Sequence, residues 1–346
     1  MVALSTAGSG VARADFVRLP LQGEANPAGY KEWHHFVVQR GPLRVLLNLS
    51  LMNEPDRPHG SRVVPRVVAI VHDDAWIGTV ERYPSDAARI GPDLCSLAIG
   101  DTQLTIGADR YDLSVDVPSR GIAGRIELVV ASRPFAVHNQ PLGAGRLSWL
   151  FVPRLLATGW LSIGGRTYEF VDDAAYHDHN WGRFLWGDDF GWQWGSVLPA
   201  ADGDPWSFVF MRMTDGKGHR ALSQALYVWH GDEPAAMFRD TDLQVRTSGL
   251  LGRPPDCTLP APMGIVLGGS LSDIPRRVDI EAGNGNGRVE MSFEPHAYAR
   301  VARPSETDID RSVVLDETSG AAWATGSLRG RRIEFDGPGV FEFLHG

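Results

Sequence analysis

The sequence predicts an all-β protein. Short aliphatic and β-branched runs recur along the chain, turn dipeptides separate them, and 39 glycines and 23 prolines interrupt any long helical period. That pattern belongs to barrels or sandwiches.

The first runs are residues 36–38, 43–51 and 66–72; later ones are 125–131, 206–213 and 221–229. Turns are expected at Gly164-Gly165, Asp202-Gly203, Asp215-Gly216 and Asn284-Gly285. His72-Asp73-Asp74 closes the third run and reads as a turn rather than a metal site. Trp33 and Phe36, opening the first strong strand, read as core.

One internal similarity suggests duplication. Ala157-Thr158-Gly159-Trp160-Leu161 precedes Gly165-Arg166-Thr167-Tyr168-Glu169-Phe170, and Ala324-Thr325-Gly326-Ser327-Leu328 precedes Gly330-Arg331-Arg332-Ile333-Glu334-Phe335. Both read A-T-G-x-L, then G-R-x-x-E-F, about half a chain apart, as two copies of one domain would. The expected units are residues 1–183 and 184–346. Each closing hairpin is followed by an acidic residue, Asp178 in the first copy and Glu342 in the second.

Composition narrows the function. A net charge of −9, with no basic run, argues against nucleic acid or an anionic membrane as partner. No stretch matches a secretory signal or a spanning helix, and Cys95 and Cys257 suggest no disulfide framework. A cytoplasmic location is expected. Serine-nucleophile, zincin and nucleotide-binding fingerprints are absent, and no cofactor is expected.

Chemistry concentrates in Tyr176-His177-Asp178-His179-Asn180-Trp181-Gly182. In a strand, Tyr176, Asp178 and Asn180 share one face, and His177, His179 and Trp181 the other. Two readings follow. If the first face meets a cavity, burial keeps Asp178 protonated and able to act as an acid, with Tyr176 and Asn180 orienting it. Trp149, Trp192 and Trp194 would then stabilise positive charge on a substrate. If the second face matters, His177 and His179 bind a metal with His34 or His35. The histidines otherwise simply orient their neighbours.

At these residues the chain resembles the carotenoid 1,2-hydratase and AttH-like superfamily, to which some Diels–Alderase-type cyclases are also similar. Glu32-Trp33-His34-His35-Phe36 is similar to its early E-W-W-Y-F, and Trp149 stands ahead of Pro153-Arg154. The heptad is similar to its Y-x-D-x-N-x-G; Trp192-Gln193-Trp194 and the G-x-x-E of Gly339-Val340-Phe341-Glu342 follow in order. The resemblance implies two lipocalin-like β domains with a hydrophobic, polyunsaturated substrate near their junction. It implies Asp178 as the acid and Tyr176 as its partner; Trp149, Asn180, Trp192, Trp194, Glu342 and His34 are the residues expected against the substrate. One departure is Leu147-Ser148-Trp149, where hydratases have H-x-W. The missing base favours cyclisation or isomerisation over hydration. A pericyclase without proton transfer and a non-catalytic lipid or metabolite carrier are the competing expectations.

Overall fold

A computed structural model describes residues 15–18, 29–56, 60–187, 189–199, 204–267, 273–308 and 310–345. The Asp202-Gly203 turn and residues 1–14 lie outside the described residues.

The first twelve strands form one sheet: β1 (Tyr30–Arg40), β2 (Leu43–Asp56), β3 (Gly60–His72), β4 (Trp76–Arg82), β5 (Ala88–Ile90), β6 (Ser96–Ile99), β7 (Thr102–Ile106), β8 (Arg110–Val117), β9 (Ile122–Val130), β10 (Phe135–Leu142), β11 (Gly145–Ile163) and β12 (Arg166–Arg183). The other ten form a second: β13 (Gly191–Val197), β14 (Trp206–Thr214), β15 (Ala221–His230), β16 (Glu233–Arg239), β17 (Leu243–Ser248), β18 (Cys257–Leu259), β19 (Arg277–Asn284), β20 (Gly287–Pro304), β21 (Ser312–Leu328) and β22 (Arg331–His345). A short helix, α1 (Ala261–Val266), follows β18.

The two strand orders correspond. In the first, β4-β3-β2-β1-β12-β11-β9-β8 are neighbours in turn; in the second, β16-β15-β14-β13-β22-β21-β20-β19. The last hairpin of each sheet, β11–β12 or β21–β22, therefore returns beside its first strand. The A-T-G-x-L repeat lies on those hairpins, and its glycines show why it recurs. Gly159 and Gly326 adopt φ of +141° and +147°, and a Cβ there would stand 2.0 and 2.1 Å from the carbonyl oxygens of Arg125 and Arg288. Both positions let one strand cross its neighbour closely. Gly159→Ala is expected to cost more than about 1 kcal/mol, since the backbone cannot relax without breaking the β9–β11 ladder. Urea unfolding checks this; an unchanged midpoint would contradict it.

Three apolar clusters hold the molecule together. One lies inside the first sheet, with Phe36, Leu47, Tyr111 and Phe170; another lies inside the second, with Phe208, Phe293, Phe335 and Phe341. The third lies between the sheets and joins Val37, Leu46, Trp149 and Tyr176 to Trp192, Trp194, Tyr227, Trp229 and Leu344. Strands at this junction bury both faces. In β2, Val45, Leu47 and Leu49 point to the first core while Leu46 points to the junction. Such strands read as continuous apolar runs, without alternation.

The all-β expectation therefore holds as two curled, antiparallel sheets packed together; the parallel β18–β20 pairing is an exception. Among the described residues, no helix is long and apolar enough to cross a membrane, and Cys95 and Cys257 are free thiols.

Candidate active site

The sheet junction encloses a cavity of about 610 Å³. Its walls come from β1 to β4 on one side and from β20 to β22 with α1 on the other. Trp33, Met52, Trp186, Trp192, Leu315 and Leu344 give it an apolar lining; His35, Glu317 and Glu342 are polar groups set among them. A hollow of about 30 Å³ shares part of this wall, because Trp33, His35, Trp192 and Glu342 line both spaces. The hollow also meets Asp178, Asn180, Leu147, Trp149, Trp194 and Met211. It has room for about one water-sized group.

Alternation along β12 places the heptad. Tyr176 packs in the junction and Asp178 and Asn180 line the hollow, while His177 and His179 lie fully buried on the opposite face. Trp181 packs against the core of the first sheet. Asp178 sits between His35 of β1 and Phe151 of β11 in register, and is only 5% exposed. Tyr176 Oη donates to its Oδ2 over 3.0 Å, and Asn180 Nδ2 donates to its Oδ1. The Tyr176 ring lies 5.2 Å from that of Trp194. No lysine or arginine pairs with Asp178 among the hydrogen bonds and ion pairs of the described residues.

From the second sheet come two more carboxyl groups. Glu342 and Glu317 face each other across β21 and β22, and Trp194 is the neighbour of Glu342 on β13. The Trp192 indole N–H donates to Glu342 Oε1.

These carboxyl groups hold protons tightly. Burial lifts Asp178 well above the usual carboxylate range and Glu342 adds to the lift, against the hydrogen bonds from Tyr176 and Asn180. Burial raises Glu342 to about 7, and burial together with Glu342 raises Glu317 well above its ordinary value. Burial pushes His35 down to about 3, so that imidazole stays neutral near pH 7. Three acids share an apolar junction with too few cations to keep them all ionised.

The sequence-expected residues divide between the two spaces. Asp178, Asn180, Trp149 and Trp194 meet the hollow, Trp192 and Glu342 meet both spaces, and Tyr176 stands behind Asp178. His34 is a correction. It is fully buried on the other face of β1, and its neighbour His35 meets both spaces instead. The cause is the period of two: His34 shares a face with Phe36 in the first core, whereas Trp33, His35 and Val37 face the junction. Trp33 is a wall of the site rather than the core residue the sequence suggested. Glu317 was not expected, because nothing in Asp316-Glu317-Thr318-Ser319 distinguishes it until β21 pairs with β22.

His34 joins the other polar cluster, inside the first sheet. There Asp15, Glu32, His34, His177 and His179 are all buried. His177 Nε2 lies 3.2 Å from Asp15 Oδ2, and its Nδ1 donates to the His35 carbonyl over 2.9 Å. His179 bridges Glu32, at 2.9 Å from Nε2, and Asp15, at 3.2 Å from Nδ1. Tyr30 donates to Glu32 and Tyr111 to Asp15. The donor atoms of Asp15, His34 and His177, and those of Glu32, His34 and His179, fall within 4.8 Å of one another, as a metal would require. The ring planes argue otherwise. His34 stacks on His179 at 4.0 Å and 18°, and imidazole lone pairs lie in the ring plane, so the two do not converge on one ion. The arrangement reads as a hydrogen-bonded network that ties Asp15 to β1 and β12.

That network has a pH signature. Burial disfavours the His179 cation, but Asp15 and Glu32 more than offset this and hold its pKa up at about 9. A folded pKa raised above the unfolded 6.5 gives stability that is complete below about pH 6.5 and lost as pH rises through about 9. The stability difference between the natural chain and His179→Gln is expected to shrink by roughly 3 kcal/mol across that window. A difference independent of pH in urea titrations would refute the assignment.

Comparisons with known proteins add the fold's relatives. No protein-family model matches the chain, and no curated protein does. Solved structures do. A protein assigned as an AttH from Nitrosomonas europaea superposes with a TM-score of 0.64 at 12% identity, over 96% of this chain and 98% of that one. Kievitone hydratase from Nectria haematococca gives 0.58 at 11% identity, over 99% and 96%. CghA, in a structure with Sch210972, gives 0.59 at 12% identity, over 91% and 88%. The chain thus has the AttH-like fold along almost its whole length, as the resemblance in its motifs implied. At such identities the likeness is one of fold.

Proposed function

We propose that this protein is an enzyme that protonates a carbon–carbon double bond of an apolar isoprenoid or polyene held between its sheets, leading to cyclisation, isomerisation or hydration. One observation carries the reading: Asp178, Glu342 and Glu317 gather where the hollow and the cavity share an indole-lined wall, and burial raises all three above the usual carboxylate range, Glu342 to about 7.

Each group then has a role. Asp178 is the acid, kept protonated by burial and oriented by Tyr176 and Asn180. Glu342 lines both spaces, so it carries that proton across the shared wall to the alkene. The alkene gains a C–H bond at one carbon and a positive charge at the other, which the faces of Trp33 and Trp192 stabilise. Loss of a proton from a neighbouring carbon gives a cyclised or isomerised alkene; capture of water with loss of its proton gives an alcohol. In either case the Glu342 carboxylate left by that transfer takes up the released proton and returns it to Asp178. An acid near pH 7 is well matched to such transfers. Glu342, ionised once it has delivered the proton, also supplies a base where Leu147 stands in place of the expected histidine. No metal or cofactor enters this scheme. That kievitone hydratase shares the fold agrees with the reading.

A panel of isoprenoid and polyene alcohols, incubated with the protein and followed by mass spectrometry, tests it. A product with the mass of water added, or an isomer carrying solvent deuterium when the reaction runs in D₂O, is the expected result. Products free of solvent deuterium would instead establish a pericyclic reaction. That second reading is favoured by one fact, that Asp178 meets the small hollow and not the large cavity. Recovery of every compound unchanged would leave only a carrier.

A further inference from the structure

The large cavity has a second polar region that the acid chemistry does not use. Arg66, Arg82 and Arg303 line it together with Glu54 and Glu306. Glu54 pairs with Arg66, with Arg82 at 3.1 Å and with Arg303 at 2.8 Å. Glu306 pairs with Arg303 at 2.8 Å and with the fully buried Lys31 at 3.0 Å. Four cations thus meet two carboxylates, an excess of two positive charges in a mostly apolar setting. The Nε atoms of Arg66 and Arg303 are buried and have no hydrogen-bond partner. Burial, and then the neighbouring Arg303, push Arg66 down to about 9, the direction a cluster short of negative charge would give.

The two polar regions are separated along the strands. Arg303 is the register partner of Val313, and Glu317 lies four residues further along β21. At roughly 3.3 Å per residue the separation is about 13 Å. Leu315, Leu344 and Val301 line the cavity between them. On the facing sheet, Arg66 is paired with Ser50 and Arg82, while His35 is paired with Asn48 and Asp178. The cavity is therefore cationic at one end, apolar along its length and acidic at the other.

We propose that the substrate is an unsaturated apolar chain ending in a carboxylate, which sits on Arg66 and Arg303 and so sets which double bond reaches Glu342. Guanidinium groups fit a carboxylate in paired, charge-assisted hydrogen bonds, and the excess of cations over carboxylates at this end of the cavity is what such an anion balances. The head-group assignment rests on the reading that the cavity holds substrate; only its consequence for which double bond reacts rests on the acid chemistry at Glu342.

Fluorescence titration with cis-parinaric acid, and with its methyl ester, separates the two ideas. Both are polyenes of one length, and only the acid carries charge. The acid is expected to bind at least about tenfold more tightly than the ester, the least that one charge-assisted contact gives. Arg303→Gln should remove that preference by weakening the acid alone, with the ester unchanged. Arg82→Gln, at a half-exposed position that tolerates change, should reduce it if Arg303→Gln fails to fold. Asp178→Asn should leave the preference intact. Equal binding of acid and ester would overturn the head-group assignment and leave the acid mechanism standing. Failure of both to bind, or a preference that survives both arginine changes, would also overturn it.

Discussion

Replacing Asp178 by asparagine is expected to lower kcat on the converted alkene by about 10²- to 10⁴-fold, the range that a lost general acid commonly gives. The exchange is nearly isosteric. The new side chain keeps an acceptor for Tyr176, its amide nitrogen can donate to Asn180 once that side chain turns its oxygen inward, and a neutral amide suits the apolar hollow at least as well as a carboxyl group. Folding should therefore survive, and the loss should appear in kcat more than in KM. Tyr176→Phe removes one of the two hydrogen bonds that orient the acid and should cost less. Steady-state kinetics and thermal unfolding on the same samples make the comparison. Undiminished turnover by Asp178→Asn would remove proton transfer from the account and favour a reaction driven by substrate conformation alone.

Glu342→Gln is expected to impair turnover and to raise stability at neutral and alkaline pH. The sign follows from burial. A carboxyl whose folded pKa is raised to about 7 favours the folded state in full below its unfolded value of about 4.5, and loses that advantage as pH rises through about 7. Above that pH the natural chain holds an ionised carboxylate beside Glu317 in an apolar junction, whereas glutamine keeps the acceptor for Trp192 without the charge. Relative to the natural chain, the variant should gain on the order of 3 kcal/mol between about pH 4.5 and about pH 8. Urea unfolding at several pH values measures this. A variant that loses stability at pH 8 would mean that Glu342 is an ionised structural partner and not a group held ready for proton transfer.

The sequence disclosed some of this architecture and hid the rest for physical reasons. Gly164-Gly165 marks a hairpin because few residues adopt the positive φ of 60° and 77° that its turn needs, whereas Asn284-Gly285 marks one with neither residue at positive φ. The strands proved longer than the runs suggested. β2 extends to Asp56 and β3 begins at Gly60, since strands packed on both faces carry no alternation to mark their ends. β7 and β8 were legible and overlooked: Thr102–Ile106 and Arg110–Val117 alternate cleanly between buried and exposed positions. The heptad gave up its two faces because a strand's period is two, and the same rule assigns His35, not His34, to the site. What the sequence hid is what pairing creates. Glu317 meets Glu342 only through the β21–β22 register, and Arg66, Arg82 and Arg303 come from three strands with no shared motif. The division at residue 183 remains a proposal about independent folding, best tested by expressing residues 1–183 alone.

Carbon-13 NMR of protein labelled at its aspartate and glutamate carboxyl carbons most directly tests whether the junction stores protons at neutral pH, with Asp178→Asn and Glu342→Gln to assign the signals. The account predicts that the Asp178 carbon keeps the shift of a protonated acid well above the ordinary carboxylate range and that Glu342 titrates near pH 7. An Asp178 signal that reaches its ionised position by about pH 5, as an ordinary surface carboxylate would, contradicts it.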